Sequence, residues 1–466
     1  MIGNGSMGVL TRTVWQATPR SCEYRHLVNI KSKEPKTGGS LKRPGSWNQE
    51  CFRNNCLNMA SPAEQVLSTG SLETLRTEDQ RKHVDHAPAN LSSSCILGLG
   101  TANPTGCYSL QEFGLECLKI YGCHEMPKAK ETIERICKAL GIVQKQMAFS
   151  PEIYQKHPSL KVYKSPNLGE RFNIYEPEAM NIGKQAAERA LADWGGDRAD
   201  ITHLISYSTT MLLSPSLDLR LVKCLNLQAT VKHYSVSLLG CYGGVNGIRT
   251  AAEIAQADPT SRILVVFVEI NSAAAQTVNP DNPFADLGPV VSNLAFGDGA
   301  GAVVVGKCPT VKEDTVFEVH RSESYLIPNT EDCVTARLLP SGLHSTQEKN
   351  YPAHVGQNTG GFIDQLLRDT NLTYVDVNWA VSSGGKPVLD TIEKNCKLND
   401  NQLQVSRHIL RNYGNMGAAT ILFVLNKFRS DKKEDETILV NPWTVAVAFG
   451  PGVTLEGLLL KSEPLT

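Results

Sequence analysis

Cys241 is the residue whose surroundings best fit chemistry. It stands in Tyr234-Ser-Val-Ser-Leu-Leu-Gly-Cys-Tyr-Gly-Gly244, where an alternating, partly β-branched run meets a Gly-Cys pair. A helix-compatible stretch, Ile248 to Ala257, follows. Such a strand-to-helix turn sets a thiol at a helix N-terminus, where unpaired N–H groups and the helix dipole favour the thiolate. Gly243 and Gly244 let a substrate carbonyl approach the backbone, and the N–H of Cys241 is the natural oxyanion donor. A buried structural cysteine ahead of a helix fits the same residues. The turn alone leaves both readings open.

Four further blocks follow in order. They are Leu294-Ala-Phe-Gly-Asp-Gly-Ala-Gly-Ala-Val-Val-Val-Gly306, Trp379-Ala-Val-Ser-Ser-Gly-Gly-Lys-Pro387, Tyr413-Gly-Asn-Met-Gly417 and Ala448-Phe-Gly-Pro-Gly-Val-Thr-Leu-Glu456. Upstream stand Leu97-Gly-Leu-Gly-Thr-Ala-Asn-Pro104 and Ile201-Thr-His-Leu-Ile205. The ordered set resembles the thiolase-fold condensing enzymes, and within them the type III polyketide synthases, the chalcone and stilbene synthase family. The resemblance runs from Cys95 to Leu460.

That resemblance implies a decarboxylative condensation. A thiolate takes an acyl group from a thioester, and donors hold the enolate oxygen as malonyl-CoA loses carbon dioxide. The carbanion then attacks the bound acyl group. Carried over by motif, the nucleophile is Cys241 and the amide donor is Asn415. The family's Trp-Ile-Ala-His-Pro-Gly-Gly corresponds to Trp379-Ala-Val-Ser-Ser-Gly-Gly385, so Ser382 stands where the family has its catalytic histidine. A hydroxyl donates a hydrogen bond but carries no positive charge near neutral pH, so it forms no ion pair with a thiolate. Losing one oxyanion donor costs ~10²–10³ in rate. His203 and His233 read as satisfied core positions, His408 as a surface or capping residue, and His344 and His354 lie outside any motif.

The remaining site residues follow the same resemblance. Phe296 matches an aromatic between entry tunnel and reaction chamber, and Ser345 falls where a second aromatic stands in the family. Gly450, Pro451 and Gly452 match the cavity-lining loop. Ser214 occupies a position that reaches into the neighbouring subunit of a homodimer. Arg135 and Lys138 are the coenzyme A contacts. Core packing for Phe296, a backbone cap for Asn415 and a solvated helix face for the basic pair are the alternatives. Acyl-CoA and malonyl-CoA are the implied substrates. No cofactor or metal is implied, nor any nucleic acid or membrane partner.

The elements that must position these groups alternate. Strand-like runs at Cys95–Leu99, His203–Tyr207, His233–Leu239, Ile263–Ile270 and Ala300–Val305 enclose helical spacing at Ala179–Trp194 and Val245–Ala257. After Gly306 the alternation begins again, with strands at Val316–Glu323, Trp379–Val381 and Ile438–Phe449. The expected fold is α/β and thiolase-like: two similar α-β-α halves, 95–308 and 309–466, with helices on both sheet faces. No residue-level repeat marks the duplication. The run at Gly297 is not a dinucleotide loop, because a strand follows it where a phosphate site needs a helix.

Composition bounds the rest. The chain has 466 residues and a formal net charge of −1, which gives no electrostatic case for nucleic acid or a membrane surface. Thirteen scattered cysteines fit a reduced, cytoplasmic protein without a disulfide framework. No apolar run of about 18 residues occurs. Residues 1–94 are rich in Ser, Asn, Gly and charge, lack a secretory-signal layout, and read as a disordered extension.

Overall fold

Apolar runs rich in Val and Ile form the strands nearest the site. Ile263 to Val268 and Val303 to Val305 are fully buried, as strands covered on both faces must be. The computed structural model describes residues 90–462, except 211 and 435–440, with side chains described from Ser94 onward and not over 431–440. The expected extension thus lies outside the described residues up to position 89, whereas residues 90–94 already belong to a strand.

Along the chain, β1 (Asn90–Ala102), β2 (Cys107–Ser109), α1 (Leu110–Ile120), α2 (Ala129–Leu140), β3 (Gln144–Gln146) and α3 (Pro151–Lys156) lead to α4 (Leu168–Trp194). Then come β4 (His203–Ser208), α5 (Leu217–Cys224), β5 (Lys232–Ser237), α6 (Gly243–Ala257), β6 (Arg262–Glu269), α7 (Leu287–Ala295) and β7 (Gly299–Lys307). The second half opens with β8 (Phe317–Leu326), a hairpin of β9 (Val334–Leu339) and β10 (Gly342–Gln347), and α8 (Tyr351–Leu367). It continues with β11 (Asn378–Val381), α9 (Lys386–Cys396), α10 (Gln404–Tyr413), α11 (Thr420–Glu434), β12 (Trp443–Gly450) and β13 (Thr454–Lys461).

Nine strands form one sheet in the order β11-β12-β13-β8-β1-β7-β6-β4-β5. The duplication that no residue repeat reveals is written in this order. Outward from β1 come β7, β6 and β4, paired antiparallel, antiparallel and parallel. Outward from β8 come β13, β12 and β11 with the same three senses. The β1–β8 pairing joins the halves. Helix α4 covers one face of the first half, and α8 with α9 covers the second. Between them lie α6 and α11, each touching strands of both halves. A central core of Ile96, Val245, Phe267, Ile421, Ala446 and Leu458 fills that layer.

Three details differ from the sequence reading. His233 is no core position: β5 is the sheet edge, residues 232–235 are exposed, and His233 Nδ1 meets Asp218 Oδ2 at 2.7 Å. That strand stops at Ser237, because Leu238 takes a φ of 60°. The expected start at Ile438 lies outside the described residues, which resume at 441; β12 is Trp443–Gly450, and Pro442 before it has no N–H for a ladder. Among the described residues, no helix is long and apolar enough to cross a membrane.

The start of α6 is held close. A Cβ at Gly244 would stand 2.2 Å from the carbonyl oxygen of Ala418 and 2.6 Å from Ile421 Cγ2. Gly244→Ala gains about 1 kcal/mol of helix propensity but must push the backbone at Ala418 away. We expect a net loss of about 1–3 kcal/mol, read as a lower midpoint in urea unfolding; an unchanged or higher midpoint contradicts this packing.

Candidate active site

The thiol turn is made by backbone shape. Leu238 and Gly240 (φ +94°) turn the chain out of β5, and α6 begins at Gly243. A Cβ at Gly240 would lie 2.4 Å from Pro451 Cδ, and one at Gly450 would lie 3.2 Å from the Cys241 nitrogen. The Gly450–Gly452 loop is therefore packed against the turn that carries Cys241.

Asn415 is fixed from the other half. Its N–H donates to Ala295 O at 3.0 Å, and Gly297 N–H donates to Asn415 O at 3.0 Å, so its backbone straddles Phe296. Its side-chain Oδ1 accepts from Gly417 N–H at 2.9 Å. That bond orients the amide, leaving Nδ2 to face Cys241 Sγ at 3.8 Å. One thiol and one amide donor from opposite halves thus meet at a single point.

They meet beside a cavity of about 110 Å³ that Cys241, Phe296, Ser345 and Pro451 help to line. Its walls are mostly apolar, with Met147, Val334 and Leu343 among them. The β9–β10 hairpin, which supplies Val334, Leu343 and Ser345, has no forerunner in the sequence reading.

Other proposed site residues lie apart. Ser382 is buried at the end of β11, where its N–H donates to Val447 O at 2.8 Å, and it is not among the cavity-lining residues. Gly450 and Gly452 stand behind Pro451, also off the lining. Ser214 is exposed, next to a cis bond to Pro215. Arg135 and Lys138 are exposed on α2, which packs against α7, the helix that gives Ser292 and Asn293 to the cavity. Among the described residues no histidine lines the cavity: His203 is buried against Thr202 Oγ1 and His344 bonds Ser341 Oγ.

Two ionisable groups near the site went unread in the sequence. Lys145 lines the cavity, fully buried; its Nζ donates to Asn293 O at 2.5 Å and Phe296 O at 2.8 Å, above the Phe113 ring. Burial pulls its ammonium down to about 8. Glu269, at the end of β6, is fully buried, and burial pushes its carboxyl up to about 7. A signal for Glu269 existed, since it ends the apolar run Ile263–Val268; Gln144-Lys145-Gln146 offers none.

The electrostatics of Cys241 reverse the expectation of a favoured thiolate. Half-buried, Cys241 lines a largely apolar cavity, and burial pushes the thiol up to about 12. The charge of Glu269 adds to the rise; the Asn415 amide and the backbone N–H oppose it.

Comparison with known proteins agrees with this geometry. Residues 81–309 match the family of chalcone and stilbene synthases, N-terminal domain, and residues 318–464 match its C-terminal domain. The chain belongs to the chalcone and stilbene synthase family. It is 32% identical over 337 residues to "Type III polyketide synthase 21" of Oryza sativa subsp. japonica, covering 72% of this chain and 85% of that protein. Membership makes the chain a condensing transferase by class, with the thiolase-like fold seen here.

Where the family pattern has proline after its histidine, this chain has Ser383, whose Oγ is buried without a hydrogen-bond partner. Such a hydroxyl costs about 1–3 kcal/mol. Ser383→Ala should raise the unfolding midpoint; a lower midpoint would mean that the hydroxyl has a partner. Asn415→Ala removes the side-chain donor that favours the thiolate. Iodoacetamide alkylation of Cys241 at pH 9, followed by peptide mass spectrometry, should slow about fivefold; an unchanged rate would place the amide elsewhere.

Proposed function

We propose that the chain is a type III polyketide synthase that loads an acyl group from acyl-CoA onto Cys241 and extends it with malonyl-CoA, giving a pyrone or phenolic product. The observation carrying this reading is the Cys241 Sγ–Asn415 Nδ2 approach of 3.8 Å beside an apolar cavity. A thioester carbonyl held there has an amide donor for its developing oxyanion, and the cavity walls suit a hydrocarbon chain. Arg135 and Lys138 would meet the coenzyme A phosphates from α2. No cofactor enters the reaction, and the reduced cysteines suit the cytoplasm.

A homodimer is part of the proposal. β5 is an unpaired sheet edge with Tyr234 51% exposed, and Leu212 and Leu238 nearby in sequence are also exposed. An open edge with apolar side chains fits a second copy of the chain.

Ser382 favours a second reading: an impaired paralogue that binds acyl-CoA or partners an active subunit, or that only transfers or hydrolyses acyl groups. It lies off the cavity and cannot supply the cation that a thiol pushed up to about 12 lacks. Carbon dioxide release from malonyl-CoA, with a panel of acyl-CoA starters, separates the two. Release lost in Cys241→Ala is the expected outcome. A folded chain that releases none, yet gains release in Ser382→His, supports the impaired paralogue.

A further inference from the structure

Glu269 lies deep in the protein, and a carboxyl there needs donors around it. They come from loops on opposite sides of the site. Its Oε2 accepts from the N–H of Thr209, just after β4, at 3.0 Å. Its Oε1 accepts from the N–H of Ala418, three residues past Asn415, at 3.4 Å.

Each loop passes the contact to a reacting group. Thr209 Oγ1 accepts from the N–H of Gly240 at 3.2 Å, beside Cys241, and its hydroxyl also bonds Glu269. Gly417 N–H holds Asn415 Oδ1, and a Cβ at Gly417 would stand 3.1 Å from the Glu269 carboxyl carbon. One carboxyl is therefore one residue removed from the nucleophile's turn and from the amide's anchor.

We propose that Glu269 is a positioning residue that ties the Cys241 turn to the Asn415 loop, and that its charge restrains the thiol. The proposal rests on the reading of Cys241 as the nucleophile. It touches no reacting atom itself and acts through its two neighbours.

The restraint depends on pH. The ionisable groups that face Glu269 are Cys241 in the turn before α6, Asp298 before β7 and Tyr175 on α4. Tyr175 is pushed up to about 12 and stays neutral, while Asp298 is held by Ser272 and Ala148 and attracted by Lys145. Glu269 itself titrates near 7. Below that pH its carboxyl is neutral and the thiolate meets no repulsion from it; above, the carboxylate opposes ionisation of Cys241. Thiol reactivity therefore climbs by less than tenfold per pH unit across neutrality and regains the full slope above it.

The experiment is alkylation of Cys241 by iodoacetamide in the full chain from pH 5.5 to 10, read by peptide mass spectrometry, in wild type and Glu269→Gln. At pH 6 the two should react equally. At pH 8.5 the variant should react about threefold faster, because one unit of coupling raises the thiolate fraction about tenfold while the less basic thiolate is about threefold less nucleophilic, and its slope should be tenfold per unit throughout. Equal rates at every pH, or a slower variant, would overturn the proposal. Should Glu269→Gln fail to fold, the wild-type profile decides alone: a shallow segment near pH 7 supports the restraint, and a uniform slope overturns it. Alkylation needs no turnover, so its outcome is independent of whether the chain condenses malonyl-CoA.

Discussion

The site depends on one close approach, that of the first turn of α6 to the chain just after Asn415. Nothing but hydrogen fits at Gly244 between that helix and the Ala418 carbonyl. Because α6 starts directly after Cys241 and α11 starts directly after the Asn415 loop, this contact brings the two functional residues together. They occupy comparable places in the two halves, each in a loop ahead of a central helix. The repeated strand order makes the meeting a property of the fold and not of either loop alone. Packing at this density leaves few other arrangements for the thiol and the amide.

The same closure sets the electrostatic problem. A helix N-terminus is worth about 0.3–1 kcal/mol to a nearby anion, rarely 2. Raising the thiol from 9.0 to about 12 corresponds to about 4 kcal/mol against the thiolate. Burial therefore wins, and the dipole argument read from the sequence, though correct in sign, is outweighed. Glu269 sharpens the conflict, since the carboxyl that braces both loops also repels the charge the nucleophile must carry.

Much of this was legible in the residues. Cys241, Asn415, Phe296 and Pro451 stand in motifs whose glycines are required by contacts, as at Gly240 against Pro451. The buried strands announced themselves by apolar runs, because a strand covered on both faces has no polar side to show. Edge strands do not: β5 carries the same alternation as a half-buried strand, and only its place at the sheet's end exposes His233. Lys145 was illegible as a site residue, and Glu269, though marked by closing an apolar run, showed no role, for a related reason. Their roles arise from partners more than a hundred residues away, or from loops that converge only in the folded chain. The duplication, too, survives in hydrogen-bond order after side-chain identity has diverged.

The missing histidine bears unequally on the two halves of the chemistry. Decarboxylation needs donors at an enolate oxygen, and the Asn415 amide, with its oxygen already committed to Gly417, still offers its N–H groups. Loading needs a thiolate, for which Ser382 provides no charge. Yet a rise of three units in thiol pKa does not slow attack a thousandfold. The thiolate fraction falls by about 10³, while a more basic thiolate is intrinsically more nucleophilic, with a Brønsted coefficient of about 0.4–0.5. The net loss is on the order of 50-fold. In the proposed reaction such a chain would be slowed at the loading step, while the fold holds thiol, amide and cavity in one place. Under that proposal the acyl transfer is the step on which the rest of the reaction would wait.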